Sequence, residues 1–234
     1  SQKILIATTH DLLTKGIGHK KFKETTLGKV PFDWNLSKLG DYIDLLTDYH
    51  SNGSYEKLKQ NVKLLDSFNH AIMIRTKNLE NNDYEDLIYI NKIAYQFLNK
   101  SKVFADDILM NKIANPGVVY LMPQLNQPVS LGMNLFLIRM SKKVCAKYIF
   151  YFLKANENYV KSFASGTSTK TITKQEVRDL SIVLPPLKEQ LIVARIISSF
   201  ENQIDYLQSK LILLKLLKKS LYSDLLTGRK RVEV

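Results

Sequence analysis

The sequence predicts a mixed α/β (α+β) globular body with one long helix standing outside it, and three features carry that prediction. Short β-type runs alternate with helical ones along most of the chain. An aliphatic heptad runs unbroken but for one residue from Val193 to Leu225. Hydrophobic residues make up 45% of the 234, enough for one core plus an appendage.

Taken in order, residues 1–14 have helical spacing and lead into a loop, Gly16-Ile17-Gly18-His19-Lys20. Asp33-Trp34 opens the domain proper, with Trp34 read as a core anchor rather than a base-stacking platform. Residues 70–74, 86–90 and 135–139 are apolar runs of strand length. Residues 107–113 and 118–122 flank Asn115-Pro116-Gly117, a turn signal that predicts a hairpin. Residues 146–155 place Tyr148, Ile149, Tyr151, Phe152 and Leu153 on a buried helix face.

The last helix has a defined start. Pro185 and Pro186 forbid helix before them and suit its first turn. Beyond them Val193, Ile197, Phe200, Ile204, Leu207, Leu211, Leu214, Leu221 and Leu225 follow alternating steps of four and three. Lys218 is the one polar interruption, and Gly228 supplies a stop. Some 40 residues at about 1.5 Å each make a rod of roughly 60 Å, more than a small domain can cover, so it is expected to lie against a second long helix. The division expected is residues 1–18 as spacer tail and linker, 19–184 as the globular domain, and 185–234 as the spacer helix. Asp11-Leu12-Leu13-Thr14-Lys15-Gly16 repeats the Asp224-Leu225-Leu226-Thr227-Gly228 ending of that helix with one inserted residue, as in a unit of domain plus spacer that recurs.

Charge and chemistry narrow the function. With 34 basic and 22 acidic residues the chain carries +12, a surplus that favours polyanions but is shared by other basic proteins. The single Cys145 excludes an internal disulfide, fits a reducing cytoplasm, and reads as a small core filler. No apolar stretch approaches the ~20 residues that span a bilayer, so no membrane partner is expected. Phosphate loops, Gly-x-Gly-x-x-Gly, acidic-x-Lys triplets and an Asn-Pro-Pro-aromatic tetrapeptide are all missing, and the four histidines are scattered. The chain is expected to do no catalysis of its own.

One set of motifs is specific. Leu184-Pro185-Pro186-Leu187-Lys188-Glu189-Gln190, a long heptad helix and then Asp224-Leu225-Leu226-Thr227-Gly228 resemble the specificity subunit of type I restriction-modification systems. Phe22-Lys23-Glu24-Thr25-Thr26-Leu27-Gly28-Lys29-Val30-Pro31 with Trp34 and Lys38-Leu39-Gly40-Asp41 resembles the opening of that family's target recognition domain. So do Asp107-Ile108-Leu109-Met110 ahead of Asn115-Pro116-Gly117, and Ser165-Gly166-Thr167-Ser168-Thr169. The likeness covers nearly the whole chain and is loosest between Tyr49 and Val103. It implies a half-sized or truncated subunit with one target recognition domain. Such a chain would read half of a bipartite site in double-stranded DNA, and its helix would pair with a second rod by self-association. It also implies methyltransferase subunits that bring S-adenosylmethionine, and restriction subunits that use ATP and magnesium. A coiled-coil scaffold or decoy that binds those subunits without DNA, and a solitary DNA-modifying enzyme, are the rival readings.

Base reading needs amide, hydroxyl or guanidinium groups, and phosphate binding needs positive ones. Gly166, Thr167, Ser168, Thr169 and Lys170 combine a flexible backbone with donors; a mobile polar loop has the same composition. Arg75, Lys77 and Asn78 follow a predicted strand and offer bidentate groups, although strand-end charges are commonly just solvated. Asn111, Lys112 and Asn115 sit near the hairpin tip, and Tyr49-His50-Ser51-Asn52-Gly53 is a further excursion.

Overall fold

The computed structural model describes residues 2–167 and 169–227. The chain begins with helix α1 (Gln2–Thr14), a hairpin of β1 (Phe22–Thr25) and β2 (Gly28–Pro31), then β3 (Asn35–Lys38) and β4 (Ile43–Asp48). Next come α2 (Tyr55–Asn61), β5 (Ala71–Ile74), α3 (Thr76–Glu80), β6 (Ile88–Ile90), α4 (Lys92–Phe97) and β7 (Lys102–Val103). The second half holds β8 (Ile108–Asn111), β9 (Val119–Leu121), β10 (Val129–Leu131), β11 (Leu135–Met140), α5 (Ala146–Ala155), α6 (Glu157–Lys161), α7 (Lys174–Asp179), β12 (Ser181–Leu184) and the 40-residue α8 (Leu187–Leu226).

Two four-stranded sheets lie face to face. One is antiparallel in the order β4-β11-β8-β9; the other is mixed, β6-β5-β10-β7, with β5 and β10 parallel. The period of two along each strand divides the side chains between layers. Leu46, Ile108, Met110, Phe136 and Ile138 face the helical layer of α5 and α8. Leu109, Leu135 and Leu137 face Ile72, Ile74, Val129 and Leu131 of the mixed sheet. The mixed sheet's outer side, Ala71, Met73 and Ile90, is covered by Leu58 of α2 and by Ala94 and Leu98 around α4. Both faces of each sheet are therefore buried, which is why these strands read as continuous apolar runs instead of alternating ones. The predicted hairpin is present, with Met110 opposite Val119. The buried carboxylate of Asp107 braces the opposite end of β8, accepting from Arg139 Nε at 2.8 Å and Nη2 at 2.7 Å.

The base of α8 is not outside the body, as the sequence suggested. Val193, Ala194 and Ile197 are buried in the same core as Trp34, Tyr148 and Ile149. The two residues that close the Leu-Pro-Pro-Leu-x-Glu-Gln motif make the junction. Gln190 is buried; its Oε1 accepts from the Cys145 N–H at the start of α5 (2.9 Å) and its Nε2 donates to Pro185 O (2.8 Å). Glu189 accepts from the Ile17 N–H (3.1 Å) and from Trp34 Nε1 (3.1 Å), and lies 2.9 Å from His19 Nε2. Farther along, Glu201 takes the Tyr151 hydroxyl at 2.7 Å and pairs with Lys154 at 3.0 Å.

Helix α1 runs antiparallel along α8, from Ile4, Leu5 and Thr8 beside Phe200, Gln203, Ile204 and Leu207 down to Ile17 at Glu189. Its Leu13 is buried in the main core. Among the described residues nothing covers the helix past Leu207, and Gly228, the expected stop, lies outside them.

Replacing Glu189 by Ala strands the indole N–H of the fully buried Trp34. Chemical denaturation should show a loss of about 1–3 kcal/mol, and Glu189→Gln, which still accepts, a smaller one.

Candidate nucleic-acid interface

Four segments distant in sequence are joined side by side at one end of the antiparallel sheet. Past Asn111 the chain of β8 keeps its pairing: the Lys112 N–H donates to Asn134 O (3.0 Å), and the Ile172 N–H donates to Lys112 O (3.1 Å). Ile113 bridges Thr171, and Thr171 and Ser165 exchange backbone bonds of 2.8 and 2.9 Å that close the 165–171 loop. On the far side the Gly132 N–H donates to Ile74 O (2.8 Å), which brings Arg75 to the same rim. The resulting order across the rim is the 165–171 loop, the 112–117 tip, the 132–134 turn and the Ile74–Arg75 strand end.

An ion cluster fixes one side of this rim. Lys112 lies 3.1 Å from Asp48 and Lys174 lies 3.4 Å from it, while Lys174 also donates to Ser51 Oγ (3.0 Å). Asp48 caps the short turn Tyr49–Asn52 through the Ser51 N–H. Burial alone would raise its carboxyl, but the bonds from Ser51 and Lys112 and the charges of both lysines outweigh this and hold it at about 2.

The residues expected from sequence fall into two groups. Gly166, Thr167, Thr169 and Lys170 are exposed on the rim. Gly166 has φ +118°, and a Cβ there would meet Thr169 O at 2.4 Å, so only glycine fits the turn. Ser168 lies outside the described residues. Arg75 is one-third exposed and Lys77 more so, both leaning on Asp86, with Lys77 Nζ at 2.6 Å.

Asn78, Asn111 and Lys112 are corrected by the structure. Asn78 is fully buried: its Oδ1 accepts from the Arg75 N–H (3.2 Å) and its Nδ2 donates to Asp83 O and Asp86 O. Asn111 is 2% exposed; its Nδ2 donates to the Tyr120 hydroxyl (3.2 Å), which donates on to Glu80 (3.3 Å). Burial and the Glu80 charge push that hydroxyl up to about 12, so it stays neutral and keeps its proton to donate. Both amides are spent inside the fold and present no edge to a base. Lys112 is 12% exposed and committed to Asp48, so it orders the rim instead of reaching a phosphate. Asp48 and Lys174 were not legible as partners, being 126 residues apart; only the short Asp48 to Ser51 cap carried a local signal.

Of the helix-pairing residues, Val193 and Ile197 belong to the chain's own core. Phe200, Ile204 and Leu207 line the groove beside α1, and Leu211, Leu214, Leu221 and Leu225 are exposed. Among the described residues no three His, Cys, Asp or Glu side chains cluster to hold a metal, and no helix is long and apolar enough to cross a membrane.

Because the Asp48 carboxyl is depressed in the fold, its contribution is complete above about pH 4 and is lost as pH falls toward 2. Asp48→Asn should therefore cost about 1–2 kcal/mol at neutral pH, discounted for the solvent reaching Lys174, and flatten the stability curve across that window in denaturant titrations.

Comparison with known proteins agrees with this architecture. The chain is 29% identical over 227 residues, 95% of its length, to a putative type I restriction enzyme MjaX specificity subunit of Methanocaldococcus jannaschii. It is 26% identical over 218 residues to the MjaVIII specificity subunit of the same organism. It covers 49% and 45% of those proteins, so the chain spans about half the length of the curated relatives it matches. The HsdS subunit of Thermoanaerobacter tengcongensis shares its fold at a TM-score of 0.60 and 15% identity, over 95% of this chain and 50% of that one. The model of the type I restriction modification DNA specificity domain matches residues 31–216, well over half of the sequence, and the chain belongs to that family.

Proposed function

We propose that this chain reads one half of a bipartite target in double-stranded DNA and holds methyltransferase subunits over it, in the cytoplasm and without chemistry of its own. The observation that carries the reading is the rim. Exposed hydroxyls, backbone amides and a cation from the 165–171 loop stand beside Arg75 and the 112–117 tip on one paired scaffold. Donors on short loops braced by sheet pairing are what groove recognition requires, and the net charge of +12 supplies attraction to phosphate. Methyl transfer would use S-adenosylmethionine on the methyltransferase, and DNA cleavage ATP and magnesium on the restriction subunits.

The rod supports the second half of the reading. Leu12 and Leu13 of α1 are covered by the body, whereas the matching Leu225 and Leu226 at the end of α8 are 47% and 85% exposed. The same short sequence has found a surface at one end of the chain and lacks one at the other. A second rod lying antiparallel would supply it, as α1 does for the base of α8. Its occupant is a second copy of this chain or the spacer of a preceding domain, and either sets two readers a fixed distance apart. One partner helix is not enough, however. Leu211, Ile212, Leu213, Leu214, Leu216 and Leu217 are each 52% to 66% exposed and, at about 100° per residue, encircle the helix. The heptad seam uses Leu211 and Leu214; Ile212, Leu213, Leu216 and Leu217 remain for methyltransferase subunits.

The decisive test is sequencing of modified bases in DNA exposed to the chain reconstituted with its methyltransferase. A defined motif is expected; modification without sequence preference overturns the reading. Lys170→Ala should lower the slope of log K against log[salt] by about 0.9, the release of one counterion. Replacing Leu214 and Leu221 by Asp should reduce the mass in solution, measured by light scattering, while the circular dichroism of the folded body is unchanged.

A further inference from the structure

The centre of the rim is apolar, and neither the family nor the polar groups around it account for that. Ile113 and Met133 are 36% and 54% exposed, among polar and basic neighbours. Their backbones are neighbours too. Asn111 pairs with Leu135, and Lys112 continues that register to Asn134. That bond leaves Ile113 and Met133 each one residue beyond it, on two exposed segments joined at Lys112 and Asn134.

Met133 stands on a turn held from both sides. The preceding Gly132 is bonded to Ile74 O, and a Cβ on it would lie 2.4 Å from that oxygen. The following Asn134 accepts from the Lys112 N–H. Ile113 is held by the bridge to Thr171, and the next residue, Ala114, adopts φ +68°, which an L side chain disfavours. Disfavoured backbone in a braced tip is retained where the tip's shape is used. The segments on either side carry polar and basic groups: exposed Thr167, Thr169 and Lys170 beyond the bridge to Thr171, and Arg75, which leans on Asp86, beyond the Gly132–Ile74 bond.

We propose that Ile113 and Met133 form an apolar reading head that contacts the 5-methyl group of thymine in the major groove of the target half-site. This rests on the DNA-reader function above and deepens it by assigning a base chemistry. The occupant follows from the setting. Two apolar side chains between a loop of hydroxyls and Lys170 on one side and Arg75 on the other fit a surface that is apolar at one spot and anionic around it. In duplex DNA the major-groove edge of an A·T pair supplies that spot, because the thymine methyl is the one apolar group displayed there. A protein partner would bring an apolar patch without the phosphates that the flanking groups match.

The test begins with the motif found by modified-base sequencing of the reconstituted complex. Duplexes carrying that half-site are then made with each thymine replaced in turn by deoxyuridine, which deletes only the methyl. At one or two positions affinity should fall by about four-fold per methyl lost from an apolar contact. Met133→Ala and Ile113→Ala should weaken binding to the thymine duplex and leave little difference between thymine and deoxyuridine at that position. Both side chains are exposed, so folding is not at issue. A half-site in which no deoxyuridine matters overturns the proposal while the reader function stands. A fluorescence rise from 2-aminopurine beside the site, unaccompanied by deoxyuridine sensitivity, overturns it too, since that marks a wedge between base steps. Failure to find any motif would count against the reader function itself. Variants that bind DNA normally but fail to assemble with the methyltransferase would give the patch to a protein partner.

Discussion

Glu189 and Gln190, at the first turn of α8, settle where 40 residues of helix point. Gln190 ties the start of that helix to the start of α5, and Glu189 ties it to Trp34 and to the loop after α1. Val193, Ala194 and Ile197 then set the next two turns into the core. The leverage explains why so many bonds are spent on so few residues. Over a rod of roughly 60 Å, a tilt of about 10° at the base would move the tip on the order of 10 Å, two turns of helix. The direction of so long a helix is therefore fixed by rigidity at the junction.

The same economy appears at the rim. Three of the candidate readers named from the sequence, Asn78, Asn111 and Lys112, instead hold backbone, hydroxyl and carboxylate partners in place. Asp48 is the counterpart of Glu189, one partly buried carboxylate collecting donors from three segments. Burying such a charge is costly unless its partners are well placed, and here they join β4, the hairpin tip and α7.

How much of this could be read beforehand follows from what leaves a local trace. The runs at 71–74 and 135–140 and the Asn115-Pro116-Gly117 turn were legible because burial on both faces and turn chemistry act over a few residues. The start of α8 was legible from Pro185 and Pro186. The parallel pairing of β5 with β10 was not, since partners such as Ile72 and Val129 lie 57 residues apart. The hairpin before Trp34 was also missed, although its Val30 shares Trp34's core. A heptad states that a helix has an apolar seam but not what covers it, so Val193 and Ile197 read like Leu214 and are buried by a different neighbour. For the asparagines, an amide looks the same in sequence whether it faces solvent or a backbone carbonyl.

The ring of exposed aliphatic side chains between Leu211 and Leu217 has a consequence for how the chain behaves when nothing covers it. Synthesised in excess, it would carry two turns of helix that water cannot wet, a stretch suited to holdase chaperones and to clumping. A partner that sheathes the rod would then cap the abundance at which the chain stays dispersed.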